Sequence, residues 1–264
     1  MSDGPMGVRS EFVNDQWMPV GTPDDYVTYC PSNSAIAMTW NRKLARNAGK
    51  VLGEEARGRG KDVILAPGIN IKRTPACGRN FEYISEDPRL TSELVAACVK
   101  HFAMNNQETE RLWVNVEADE RTMREIYFPA FQAVVQKAGA KSIMGSYNLI
   151  RGTHVCENKD IMGTVLRKEW GFDGTIISDW AVHTTKGTAE GPLDIEMSVT
   201  SDFDDYFLAN PLISEIRKGH IDEACVDEKV RNILRMMVRL HMIELTEVPD
   251  SDGKKKILVQ KNKN

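Results

Sequence analysis

The sequence predicts an α/β fold on a parallel sheet, either a closed barrel or a doubly wound sheet. Three observations predict it. Five short apolar runs recur along the 264 residues: DVILAP (62–67), ACVKHF (97–102), KSIMGSYN (141–148), GTIISDW (174–180) and GPLDIEM (191–197). Stretches of helical spacing separate them. Several of the runs turn polar only where they end, as strands covered on both faces do. Hydrophobic residues, at 41%, suffice for a real core.

Each element has its own justification. Asp3-Gly4-Pro5 is turn chemistry, with no strand before it. Residues 41–60 place Leu44, Ala48, Val51 and Leu52 on one face, which predicts a helix packed through that face. The next helix opens with Asp87 as N-cap and Pro88 in its first position. Residues 117–139 carry Met123, Ile126, Phe131, Val134 and Val135 and stop at Gly139. ENKDIMGTVLRKEWGF (157–172) follows the third run as a helix. The clearest helical pattern spans 222–243, with Val226, Val230, Ile233, Leu234, Met237 and Leu240 in one stripe. Residues 246–264 read as a polar, lysine-rich tail that is expected to fray.

Composition excludes several classes. Charged residues make up 27% and the net charge is −4, so no nucleic-acid partner is expected. No apolar run approaches the roughly 18 residues of a membrane span. Five scattered cysteines form neither a disulfide framework nor a CxxC metal site. The opening MSDGPMGVRS has no signal-peptide pattern, so a cytoplasmic location is expected of the sequence as it stands. Glycine-rich phosphate loops are absent, and neither metal nor cofactor is expected.

In a parallel barrel, polar residues at the C-terminal strand ends converge on one site. Here those residues are Lys100-His101, Tyr147-Asn148 and Asp179-Trp180, with Arg79 in the loop after the first run. Each has a plain reading: Asp179 as a helix cap, Tyr147 as core, Arg79 paired with Glu82 or Glu86, Lys100 or His101 as a hydrogen-bonded structural residue. Together they suit a polyhydroxylated ligand, because charged donors bind hydroxyls strongly and an aromatic face stacks on a sugar ring. A Schiff-base role for Lys100 is the competing chemistry.

These residues stand in motifs that resemble, in order, the N-terminal catalytic domain of glycoside hydrolase family 3, with most similarity to bacterial β-glucosidases. The motifs are SDGPMGVR (2–9), LAPGINIKRTPACGRNFEYISEDP (65–88), VKHFAMNNQE (99–108), ERTMREIYFPAFQ (120–132), IMGSYN (143–148), WGFDGTIISDW (170–180) and LDIEM (193–197). The resemblance covers residues 1–245. It implies a (β/α)8 TIM-barrel-like domain and a retaining glycosidase acting on a β-glucoside or oligosaccharide. By position, it makes Asp179 the nucleophile and Asp3, Arg79, Lys100, His101, Tyr147 and Trp180 the sugar-binding residues. A carboxylate ringed by arginine and lysine is expected to keep a low pKa. KHFAMNNQE lacks the proline-glycine-histidine of the N-acetylglucosaminidase branch, which favours the glucosidase or xylosidase branch.

Retaining hydrolysis needs a second carboxyl group as acid/base. In related glucosidases it belongs to a second α/β domain, which is not found in this sequence, and the first strand region of the barrel is also expected to be missing. The expectation is therefore an incomplete enzyme whose acid/base comes from a second chain or domain; a non-catalytic sugar-binding fragment is the alternative.

Overall fold

In the computed structural model, all residues are described except 1, 10, 11, 14–17, 20–25, 95–98, 181–183, 199–201, 250–254 and 262–264. Its centre is a succession of parallel segments in chain order. Strand β1 (Ser2–Asp3) is followed by the short antiparallel pair β2 (Phe12–Val13) and β3 (Met18–Pro19), and then by β4 (Ile64–Leu65), which pairs with β1 in parallel. Gly68, just beyond β4, bridges Lys100 of β5 (Val99–Phe102), with Ile69 N donating to Lys100 O at 2.8 Å. After β6 (Asn115–Val116) comes β7 (Ser142–Gly145), which lies between β5 and β10 (Thr175–Ile177). Ile177 bridges Ile195 in parallel. Strands β8 (Leu149–Ile150) and β9 (Thr153–His154) form a small sheet with β6, outside this succession.

All five predicted runs thus take part in parallel pairing, although the last contributes a single bridge. Residues 97–98, at the start of the second run, lie outside the described residues. A sixth segment, β1, replaces the strandless turn expected around Asp3. Two residues are too few to carry an alternating pattern, and Ser2 is held by its bond to Val63 O at 2.9 Å.

The helices begin where their caps predict. Asp87 Oδ1 accepts from Arg89 N (2.7 Å) and Leu90 N (3.3 Å), opening the helix Pro88–Leu94. Asp119 caps the next through Thr122 N, and Asn158 caps Lys159–Glu169. The predicted single helix over 117–139 is instead a relay of segments, Glu120–Thr122, Met123–Tyr127, Pro129–Ala133 and Val134–Ala138. Pro129 has no N–H to continue the ladder, so the preceding turn widens and Phe128 N reaches back to Met123 O. Gly139, at φ 67°, ends the run in the left-handed region. Beneath this helix Phe102 packs against Phe128, Phe131 and Trp170 at centroid distances of 5.6, 4.9 and 5.5 Å.

Two faces differ from the sequence pattern. On helix Arg42–Gly58, Leu44 and Val51 are both 46% exposed and only Ala56 is buried. An apolar groove floored by Ile64, Ala66, Pro67 and Leu94 separates this helix from the sheet. On helix Ala224–Arg239, Val230 and Leu234 face water, while Lys229 and Asn232 are buried. Lys229 is buried because it closes backbone acceptors, and Asn232 because it meets a buried carboxylate. Lys229 Nζ donates to the carbonyls of Thr188 (3.2 Å), Gly191 (2.9 Å) and Leu193 (2.5 Å), and Asn232 Nδ2 donates to Asp194 Oδ1 (2.9 Å). Lys229→Ala strips three carbonyls of their donor and is expected to cost about 3 kcal/mol in urea unfolding.

The expected frayed tail is instead an antiparallel pair, β11 (Ile243–Pro249) with β12 (Lys255–Lys261). The IELTEV alternation and the Ile257-Leu258-Val259 run supply the strand propensity that the lysine content obscured. None of the described helices is long and apolar enough to cross a membrane.

Candidate active site

Because the central segments are parallel, their C-terminal ends lie on one side, and that side collects the polar residues. Strand β5 delivers Lys100 and His101, only 2% and 1% exposed. Lys100 Nζ donates to Asp3 Oδ1 at 2.5 Å and lies 3.6 Å from Glu82 Oε2. The other Glu82 oxygen accepts from Arg79 Nε. Arg9 adds a guanidinium 3.9 Å from Asp3. Asn70 fixes the backbone of His101 from both sides: its Oδ1 accepts from His101 N and its Nδ2 donates to His101 O, each at 2.8 Å. Two loops and two strands thus hold the cations in place through Asp3 and the buried Glu82.

Asp179 stands two residues beyond β10. Ser178 secures that position, its N donating to Ile195 O (2.9 Å) and its Oγ accepting from Met197 N (2.8 Å). Asp179 Oδ1 accepts from Trp180 N at 3.0 Å, and the Tyr147 hydroxyl lies beside the carboxylate and favours its charged form. The other oxygen, Oδ2, lies 3.4 Å from His101 Nε2 but receives no hydrogen bond. The reason lies in the imidazole. Arg79 Nη2 is 2.8 Å from the same Nε2, and a guanidinium only donates, so Nε2 must accept and the ring proton sits on Nδ1. Burial, together with Arg79, Lys100 and Arg111, pushes the His101 pKa well below its ordinary value. A neutral ring whose Nε2 is taken by Arg79 has nothing to donate to Asp179. One oxygen of a buried carboxylate is left bare.

Burial also raises the Asp179 pKa above its ordinary value, against the pull of Arg79, Tyr147, Trp180 N and Lys100. This corrects the low pKa expected from the sequence: the surrounding cations reduce the desolvation penalty without outweighing it. For the same reasons, burial first and the nearby Asp179 second, the Tyr147 hydroxyl holds its proton.

Every residue singled out in the sequence falls in this region. Asp3, Lys100, Arg79, His101, Asp179 and Tyr147 form a connected series of contacts. Trp180 adjoins it through its backbone, whose N–H also reaches the Tyr147 hydroxyl at 3.2 Å, while its half-buried indole packs on Val63, Leu65 and Met144. Sequence reasoning gave Glu82 only a pairing role and missed Glu108 and Arg111. Glu108 Oε1 is 4.0 Å from Arg79 Nη1, and its Oε2 accepts from Arg111 Nη1 at 2.8 Å. Arg111 in turn lies over the Tyr147 ring, 4.7 Å from its centroid. The contacts close into a ring: Arg79, Glu108, Arg111, Tyr147, Asp179, His101. A signal was present in the cluster of charges in QETER (107–111), but only the fold shows what those charges face. Among the described residues, no three His, Cys, Asp or Glu side chains are grouped to hold a metal ion. The arrangement offers fixed donors for hydroxyl groups around one bare carboxylate oxygen.

Comparison with known proteins agrees with that chemistry. The description "Glycosyl hydrolase family 3 N terminal domain" matches residues 15–236. A β-glucosidase of Bacteroides ovatus is 45% identical, over 92% of this chain and 35% of its own length. Thermostable β-glucosidase B of Acetivibrio thermocellus is 38% identical, over 90% of this chain and 32% of its own. The structure of β-glucosidase 3B from Thermotoga neapolitana in complex with glucose superposes with a TM-score of 0.80 at 38% identity, covering 90% of this chain and 35% of that one. The chain spans about a third of the length of these relatives.

Proposed function

The chain belongs to glycosyl hydrolase family 3, and from that premise we propose that it carries the sugar site and the nucleophile of a retaining β-glucosidase. Residues 1–245 are then a (β/α)8-type barrel domain, of which the parallel segments form the inner wall. The observation that carries the reading is Asp179 Oδ2, buried at a strand end without a donor and surrounded by groups suited to hydroxyls.

In this reading Asp179 Oδ2 attacks the anomeric carbon, the glycosidic bond breaks, and the leaving oxygen takes a proton from an acid/base group. Water, deprotonated by that same group, then attacks the glycosyl–Asp179 ester and releases glucose with its configuration retained. Trp180 N holds Oδ1 and Tyr147 backs the carboxylate, leaving Oδ2 for the sugar. Asp3, Arg79, Lys100 and His101 bind its hydroxyls, and the bonds that the Asp3 carboxylate accepts strengthen as positive charge develops on the ring. Asp3, Glu82 and Glu108 are each engaged with a lysine or arginine. The proton donor is therefore assigned to a second chain or domain outside these residues.

The test is binding of isofagomine, a cationic glucose mimic, followed by calorimetry against pH. Burial raises the Asp179 pKa, so this carboxyl takes up a proton at a pH where an exposed aspartate is still ionised. Affinity is expected to be full above that pKa and to fall as the pH drops through it, with the acid limb missing in Asp179→Asn. No binding, or the same acid limb in Asp179→Asn, overturns the proposal.

A further inference from the structure

A second cavity, of about 330 Å³, lies outside the circuit around Asp179. It opens between the loop that follows β4, the segment that follows β5, strand β6 and the helical segment Met123–Tyr127. The geometry points to a second ligand site there, which takes a carboxylate carried on a hydroxylated six-membered ring. The inference goes beyond the glycosidase reading and does not depend on it.

Arg73 supplies the charge. Its Nη1 donates to the Tyr127 hydroxyl at 2.6 Å, and its Cζ lies 5.9 Å from the centroid of that ring. A guanidinium only donates, so the Tyr127 oxygen accepts and keeps its own proton to donate again. Arg79 and Arg111 each have a carboxylate, Glu82 and Glu108. Among the described residues Arg73 has none. Its remaining N–H groups and the phenol thus form a positively charged donor cluster that no anion of the protein neutralises. A ligand carboxylate suits it, because the planar fork meets both oxygens.

The rest of the wall selects what carries that carboxylate. Met104, Val114 and Val116 supply apolar surface. Asn106 Nδ2 donates to Ile71 O and Gln107 Nε2 to Thr109 O (3.0 Å), so both side-chain oxygens are left as acceptors without a donor among the described residues. Asn105 also lines the cavity; it is 1% exposed, and neither end of its amide has a partner. Such acceptors call for hydroxyl donors. Inorganic phosphate would leave the apolar wall wet, and a neutral sugar would leave Arg73 without a counter-charge. Ligand pockets span roughly 300–1,000 Å³, so a cavity at the small end fits one ring. A uronic acid and a hydroxybenzoic acid share the required chemistry.

The experiment titrates the full chain by calorimetry with glucuronate and with 4-hydroxybenzoate, each against its methyl ester. Excess isofagomine keeps the sugar site occupied. At least one acid is expected to bind, with its ester at least about tenfold weaker. Which acid binds identifies the source as a sugar or a phenol. Arg73→Gln should weaken the acid by a similar factor. Val116→Phe, which fills the cavity from β6 and leaves Arg73 in place, should weaken it too, so the loss cannot be put down to misfolding of one variant. Failure of both acids to bind, an ester that binds as well as its acid, or undiminished affinity in Arg73→Gln overturns the site. Failure of isofagomine to bind counts against the Asp179 reading alone, since the comparison of the parent with Arg73→Gln still stands.

Discussion

Asp179→Asn is expected to abolish covalent labelling of the chain by 2-deoxy-2-fluoro-β-D-glucosyl fluoride. Fluoride departs without protonation, so the first chemical step requires the nucleophile and the sugar site and does not wait on an acid/base group. The 2-fluoro substituent disfavours the oxocarbenium-like transition state, so the adduct outlives the measurement. Intact-protein and peptide mass spectrometry should place the label on Asp179 in the parent chain. The rate of label uptake should fall by at least about a thousandfold in the variant. Unfolding cannot account for such a loss if the variant also gains stability. Because the folded-state pKa is raised, ionising Asp179 penalises the native state at neutral pH. The amide removes that penalty, so Asp179→Asn should melt higher than the parent at pH 7. The gain should vanish as the pH falls below the unfolded aspartate value. A label on Glu82 or Glu108, or undiminished labelling of the variant, would reassign the nucleophile.

The second large effect falls on stability. Glu82 is the shared counter-ion of Arg79 and Lys100, and the Glu82 and Lys100 side chains are each only 3% exposed. Glu82→Ala leaves Arg79 with only the longer contact to Glu108 and Lys100 with Asp3 alone. Breaking a buried pair from one side is expected to cost about 3–5 kcal/mol, read as a shift of the urea midpoint at constant slope. Glu82→Gln keeps an acceptor for Arg79 and should lie between the two. The Ala variant should lose isofagomine binding as well, since Arg79 also fixes the His101 tautomer. A loss under about 1 kcal/mol would mean that water reaches the pair and screens it.

The parallel succession was legible because apolar runs bounded by Gly, Pro and polar residues mark strands covered on both faces. The site residues were legible because such strands end on one side, so Lys100-His101, Tyr147 and Asp179-Trp180 had to meet. What escaped had a physical reason in each case. Strand β1 is too short to show periodicity. The stripe on Ala224–Arg239 follows apolarity alone, whereas the buried face is set partly by Lys229 reaching backbone carbonyls and Asn232 reaching the Asp194 carboxylate. The helix Arg42–Gly58 shows an apolar face that the groove beneath it leaves uncovered. The Asp179 pKa depends on desolvation competing with charge, and a sequence displays the charge only. Glu108 and Arg111 were ordinary surface letters until the fold turned them toward Arg79 and Tyr147.

The closed circuit through Arg79, Glu108, Arg111, Tyr147, Asp179 and His101 has a consequence for how its members are counted. Each touches two neighbours in the circuit, so truncating one changes the setting in which the next is measured. Single-substitution effects around it should not sum to the effect of multiple substitutions, because the first cut releases part of what the second would have removed. Coupling energies from double-mutant cycles, and not individual losses, are the meaningful unit there. The site is one thermodynamic object assembled from strand ends and loops far apart in the chain, and no residue in it has a worth of its own.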